Sequence, residues 1–303
     1  MRKIVGIGAC VFDTLISLPH YPKEDTKLRA DNVKSAGGGP AATGLVAAAK
    51  LGVSTAYIGN LSNDTGGKYL FSDFEKYGVG TEGITLHDGY RSFTSVLWLS
   101  AESTSRTCVF DKGNLPPLTL SEDTRRMIAE ARVLMVDGNE LDAAVEAAKY
   151  AKEHRTLVLY DCGGLYPNVE RLLAHTDIMI PSAEFAMGHT GCADAESAAR
   201  RLYEMYSPAV VVVTEGKAGG LLYDGKSVTR YPIYPAVVVD SNGSGDVFHG
   251  AFAAAVVYGY DYEKCCHFAS ATSALKCMGV GARESTPDLP TLKKYLEENG
   301  YEL

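Results

Sequence analysis

Apolar residues in this chain fall in short unbroken runs, and between those runs they recur at helical spacing. The runs at 4–8, 54–58, 132–136, 157–160, 178–180 and 210–213 predict buried strands. Helical patterns occupy 40–51, 66–76, 122–131, 141–153, 169–174 and 193–205, and return at 246–259, 262–278 and 290–299. Pro40 sits in a first turn, where its missing N–H costs nothing. Tyr77-Gly78 closes the helix at 66–76. Strands alternating with helices predict an α/β fold whose mostly parallel sheet is covered on both faces.

Three segments break the rhythm. Residues 11–18, 27–35 and 92–110 alternate polar and apolar positions, which suits strands with one wet face. Within the last of them, 92–99 and 106–110 predict a hairpin turning around 102–105. Together they predict a small second sheet inserted into a single domain spanning 1–303, placed as a lid over a cleft or as a dimer surface. Val237, Val238 and Val239 read as one more buried strand, leading into a glycine-rich turn.

Composition narrows the class. Hydrophobic content of 46% and charged content of 22% describe a globular chain with ample core. A net charge of −8 argues against a nucleic-acid surface, although a local anion cradle fits within an acidic protein. The seven cysteines form no CxxC pair, so neither zinc nor a disulfide framework is indicated, and a cytoplasmic setting with reduced thiols fits best. The basic start Met1-Arg2-Lys3 precedes an apolar run that carries two glycines and reaches Asp13 without a small-residue cleavage site, so a first strand is expected rather than a signal peptide. No apolar run approaches the ~18 residues of a membrane span.

The chemistry concentrates in Asp240-Ser241-Asn242-Gly243-Ser244-Gly245-Asp246. Glycines let the backbone bend and aim several N–H groups at one point, and the helix start that follows attracts anions. Asp246 adds a carboxylate beside that point. An anion cradle next to a base is what phosphoryl transfer to a hydroxyl requires. The plain alternative is an aspartate capping a helix.

Two other motifs compete and fail. Gly220 to Ser227 spells GxxxxGK[ST], but Asp224-Gly225 signals a hairpin turn and no helix follows, so the phosphate-binding dipole is missing. Gly6 and Gly8 begin a dinucleotide fingerprint whose third glycine would be Val11. Gly37-Gly38-Gly39-Pro40 opens a helix and permits close ligand approach, Asp13 is a lone acid in an apolar stretch, and Thr214 to Gly219 follows a strand where open sheets bind ligands.

Taken in order, several segments resemble the ribokinase-like, or PfkB, sugar and nucleoside kinases. They are the strand leading to Asp13, the stretch from Gly37 to Gly52, Asn63-Asp64-Thr65-Gly66, Val213-Thr214-Glu215-Gly216, and Asn242 to Asp246, which is similar to the family's DTTGAGD signature. The resemblance implies a three-layer α/β/α body with a β-lid, ATP as donor, Mg²⁺, and K⁺ as a candidate monovalent cation. It implies Asp246 as general base, with N–H groups around Gly243, Ser244 and Gly245 holding the transferred phosphoryl. Asp13, Gly38 and Gly39 would meet the sugar; Thr214, Gly216 and Gly219 would line the nucleotide side. Asp240 would serve the monovalent cation, and Glu184 would be linked to Mg²⁺.

There are departures. Ser241 and Asn242 replace the signature's threonines, Ala42 stands where ribokinases have a substrate-binding Asn, and Glu184 is one place off the family's Asn-x-x-Glu motif. Within the family, the runs from Gly37 and from Gly245 and the helix around Phe268 to Cys277 look most similar to sulfofructose kinases, but Asn139 occupies the position of their sulfonate-binding arginine. The expected function is an ATP-dependent kinase acting on a hydroxyl, a primary one, of a sugar or sugar derivative. The alternatives are a nucleoside kinase, or a sensor that binds sugar or nucleotide without turnover. A homodimer through the lid is expected.

Overall fold

The computed structural model describes residues 2–103 and 105–302. A nine-stranded sheet forms the body, built from β1 (Ile4–Ile7), β4 (Thr55–Ser62), β5 (Gly80–His87), β8 (Val133–Val136), β9 (Leu157–Cys162), β10 (Ile178–Pro181), β11 (Val210–Thr214), β12 (Gly220–Tyr223) and β13 (Val228–Tyr231). Its order is β13-β12-β11-β10-β9-β8-β1-β4-β5, parallel throughout except for the β11–β12–β13 hairpins. A separate four-stranded sheet runs β3-β2-β6-β7, from β3 (Asn32–Gly38), β2 (Val11–Leu18), β6 (Thr94–Ser100) and β7 (Ser105–Asp111).

The helices are α1 (Pro40–Lys50), α2 (Thr65–Tyr77), α3 (Glu122–Glu130), α4 (Leu141–Glu153), α5 (Glu170–Leu173), α6 (Ala183–Thr190), α7 (Ala195–Tyr206), α8 (Ser244–Tyr258), α9 (Tyr262–Cys277), α10 (Ala282–Ser285) and α11 (Leu289–Glu298). They cover both faces of the large sheet. Ile4, Val210 and Val212 point into a core shared with Leu45, Phe74, Phe252 and Phe268, whereas Val5, Val211 and Val213 face Ile128, Val145 and Leu202. This two-sided burial is why the central strands are apolar at every position. The fold is a three-layer α/β/α body with a separate small β-sheet.

The body places the site through its topology. From β1 the chain steps outward to β4 and β5; from β8 it steps the other way through β9, β10 and β11. The carboxyl ends of β1 and β8 therefore flank a switch point, the crevice where open α/β sheets bind ligands. Register does the same for the lid. Ala36, Asp13, Ser95 and Phe110 lie opposite one another across four strands, and so do Leu15, Leu97 and Cys108, so these rows share one face of the sheet.

Several expectations need correction. Val237, Val238 and Val239 form no strand and are 80%, 64% and 59% exposed. β13 already ends the sheet, so this segment runs beside α9, tied by Val239 and Asp240 N–H to the Cys277 carbonyl. Branched residues favoured extended backbone there, but no neighbouring strand exists to bury it. The patterns also left β5 and α6 unpredicted, and the strand expected at 27–35 begins only at Asn32 and continues to Gly38. Of the expected hairpin turn at 102–105, Thr104 lies outside the described residues. The GxxxxGK[ST] segment is the β12–β13 hairpin, as its turn signal indicated.

Candidate active site

A cavity of about 250 Å³ lies between the lid and the switch point, lined on one side by Val11, Asp13, Leu15, Leu97 and Phe93, and on the other by Gly38, Gly39, Asn139, Gly243 and Asp246. Residues far apart in sequence, Asp13, Gly38, Gly39, Gly243 and Asp246, thus share one space. Thr214, Gly216, Gly219, Asp240, Glu184, Ser244 and Gly245 do not line it.

Asp13 sits on β2 with 8% exposure. The Ser95 hydroxyl donates to its Oδ1 at 2.6 Å, and its Oδ2 lies against Gly38 so closely that a Cβ there would collide with it. Burial pushes its pKa up to about 6, opposed by Ser95 and by Arg283. A carboxylate held in place at a cavity wall, with lone pairs to spare, is suited to accept from a ligand hydroxyl.

Asp246 stands in the first turn of α8, whose N-cap Gly243 adopts a left-handed φ of 71° and offers no capping side chain. Helices α2, α3, α6, α7, α9 and α11 are each capped by an Asp or Ser. At α8, among the described residues, no acceptor faces the N–H groups of Gly245 and Asp246. Such donors, at a positive helix end, are suited to hold an anion. Burial lifts the Asp246 pKa to about 7, reinforced by Asp161, Asp137 and Asp13 and opposed by His249.

Behind these residues stand groups that the sequence reading did not single out. Asp137, at the end of β8, accepts from Ala9 N at 2.8 Å, Ala41 N at 3.0 Å and Asn139 N at 2.9 Å. It thereby caps α1 from another element and joins both sides of the switch point. A Cβ on Gly8 would strike its carboxylate. His249, one turn beyond Asp246, has Nδ1 2.6 Å from the Gly245 carbonyl and 3.1 Å from Asp161 Oδ2, with Nε2 3.0 Å from the Ile180 carbonyl. Holding the Gly245 carbonyl fixes the plane of the peptide whose other end is the Asp246 N–H. Burial lowers the His249 pKa, and the two carbonyls and Asp246 pull it back up. Burial, with Asp137 nearby, keeps Asp161 well above the usual carboxylate range. The available signal was an aspartate at the end of two apolar strands, where ligand chemistry belongs.

Arg283, 1% exposed, reaches from α10 to Asp73 Oδ2 at 2.6 Å and to the Gly38 carbonyl at 2.7 Å, its guanidinium lying over Phe74. Its neighbour Ala282 packs against Gly243. One short segment thus braces both the glycine run of the acceptor wall and the turn before α8.

Elsewhere, Thr214 ends β11 and bridges to Ser182, the cap of α6, in whose first turn Glu184 is exposed. Gly216 and Gly219 have φ of 58° and 86° in the connection to β12. Among the described residues no group of three or more His, Cys, Asp and Glu side chains could hold a metal, and no helix is long and apolar enough to cross a membrane.

The model of the pfkB family of carbohydrate kinases matches residues 1–289. The chain belongs to that family. It is 27% identical to the ribokinase of Arabidopsis thaliana over 311 residues, covering 97% of this chain and 81% of that enzyme. It is 27% identical to the 5-dehydro-2-deoxygluconokinase of Bacillus subtilis over 322 residues, 97% of this chain and 95% of that one. The structure of the Arabidopsis ribokinase complexed with ribose and ATP superposes with a TM-score of 0.88 at 26% identity, covering 98% of this chain and 99% of that one. This pfkB-family chain is a phosphotransferase with an alcohol group as acceptor.

Proposed function

We propose that this kinase transfers the γ-phosphate of ATP to a hydroxyl, a primary one, of a sugar or sugar derivative bound in the cavity beneath the lid. The observation that carries the reading is the shared space: Asp13, the Gly38–Gly39 backbone, Asp246 and the uncapped start of α8 all border one cavity. Asp13 takes a hydrogen bond from the acceptor and orients it. Asp246 removes the proton of the attacking hydroxyl as its oxygen bonds to phosphorus and ADP departs. The free N–H groups at Gly245 and Asp246, with the backbone of Gly243 and Ser244, receive the charge on the phosphoryl in flight.

ATP as donor is supported by the family and by the ATP in the Arabidopsis ribokinase complex. Its phosphates would reach the α8 turn from the carboxyl end of β11, where Thr214, Gly216 and Gly219 lie. Mg²⁺ carried in on phosphates needs one or two carboxylates rather than a protein cage, which suits the scattered acids here, Glu184 among them. When bound, it neutralises phosphate charge.

An ADP-release screen over pentoses, hexoses, acid and amino sugars, sugar phosphates and nucleosides tests the acceptor. A sugar or sugar derivative is expected to give the highest kcat/KM, and Asp13→Ala to raise its KM at least about tenfold, the cost of one hydrogen bond to a charged group. Highest turnover with a nucleoside, or ligand binding without any ADP release, would replace the reading.

The lid also offers a surface. β7 is exposed along its whole length, and Val33 and Val109 are 61% and 64% exposed. An unpaired edge with apolar residues favours a second copy of the chain docking through the lid. Light scattering is expected to give a dimer for the native chain and a monomer for Val109→Lys; an unchanged mass in the variant would count against this face.

A further inference from the structure

The resemblance reserves Asp240 for a monovalent cation, and the residues around Asp240 do not fit one. All of its oxygens are engaged. The backbone carbonyl accepts from Lys276 Nζ at 2.6 Å, Oδ1 accepts from Asn242 N at 2.8 Å, and Oδ2 accepts from Gly281 N at 2.9 Å with Lys276 Nζ 3.7 Å away. Lys276 itself is 0% exposed. An entering K⁺ would need oxygens that are already committed, and would meet an ammonium of like charge in a buried site.

We infer that the Lys276 ammonium is a built-in cation occupying the place of an exogenous monovalent ion at Asp240, and that this kinase therefore works independently of K⁺. Ammonium and K⁺ match in charge and are close in size, and an ammonium satisfies carbonyl and carboxylate oxygens by donating to them. Its position is favoured twice. Lys276 is in the last turn of α9, at the negative end of the helix dipole, and its partner is a carboxylate. Burial lowers its pKa, whereas Asp240, Cys277 and Asp246 hold the proton on.

The consequence reaches the anion cradle through the chain. Asp240 fixes Asn242, the residue before the left-handed Gly243, and Ser273 of α9 donates to the Ser244 carbonyl at 3.0 Å. Lys276 thus anchors the turn from which α8 starts and adds a fixed positive charge close to it. It is a positioning residue: its side chain ends on Asp240 and not in the acceptor cavity.

The inference rests on α8 being the phosphoryl cradle, but its test requires neither acceptor nor turnover. The full chain is melted in KCl and in tetramethylammonium chloride at equal ionic strength, as wild type and as Lys276→Ala, which leaves room for an ion. Wild type is expected to melt at the same temperature in both salts. Lys276→Ala is expected to lose stability in tetramethylammonium and to regain it in K⁺ or NH₄⁺. At about 100 mM salt, an ion bound with a Kd of about 1 mM should return roughly 5 °C. A K⁺-selective rise in the wild type overturns the inference, as does a Lys276→Ala protein indifferent to K⁺. If that variant fails to fold in either salt, the wild-type comparison still decides. Because melting is read without catalysis, a failure here leaves the kinase reading intact, and a failed acceptor screen leaves this result interpretable.

Discussion

Asp246→Asn is expected to lower kcat by at least about 10²–10⁴, the usual contribution of a positioned base, while the melting temperature rises. The two effects have one origin. The half-buried carboxylate borders the cavity near Asp161, Asp137 and Asp13, and desolvation with these like charges lifts its pKa to about 7. Between the ordinary carboxylate range and that value, the folded chain binds a proton that the unfolded chain has released. Stability therefore falls as pH rises through this window, and the cost is fully present above it. Asparagine keeps the shape and removes the charge, so the variant gains stability at neutral and alkaline pH as it loses the base. A more stable, well-folded and inactive protein separates catalysis from unfolding.

The same shift sets the pH dependence. In the wild type, kcat/KM should climb about tenfold per pH unit in acid, as the deprotonated fraction grows, and level off above about 7. Initial rates of ADP release across pH, together with calorimetric melting, check both halves. Turnover near the wild-type value in Asp246→Asn would remove this residue as the base. A limb centred in the ordinary carboxylate range would remove the crowded acidic environment as its cause.

How much of this could be read from the chain depended on how local each cause is. Residues 141–153 were legible as a helix and 11–18 as a strand because periodicity and burial coincide there. Asp13 and Asp246 stood out because a lone acid in an apolar strand and an acid after a glycine turn are both costly without a purpose. Asp137 and Arg283 were not legible, because their meaning lies in partners such as Ala9 and Gly38, separated by 128 and 245 positions. Lys276 was not legible for the same reason: its nitrogen donates to the Asp240 carbonyl, 36 positions away. The valines at 237–239 failed in the opposite direction: their β-propensity was real, but the edge of the sheet was already taken by β13. The lid's share of the cavity was not legible either, because register across its strands sets that wall and local pattern gives only strand and alternation.

Arg283→Met should produce the largest loss of stability, about 3–5 kcal/mol, because it strips the partner from a buried carboxylate and leaves Asp73 charged in the core. For a chain of this size that corresponds to a fall in melting temperature of roughly 5–8 °C. Two contributions can be separated. Adding Asp73→Leu removes the orphaned charge and should recover most of the loss, since an apolar pair can replace a buried ion pair at little cost. The Gly38 carbonyl, which accepts from Arg283 Nη2 at 2.7 Å, loses that donor in both variants. That carbonyl belongs to the acceptor wall, where Gly38 lies against Asp13. Acceptor KM is therefore expected to remain raised in the double variant even as stability returns, whereas ATP affinity stays near wild type. Denaturant titration gives the first quantity and steady-state kinetics the second. Recovery of both together would reduce Arg283 to a stabilising residue; recovery of stability alone identifies it as the brace that holds the glycine run in its binding conformation.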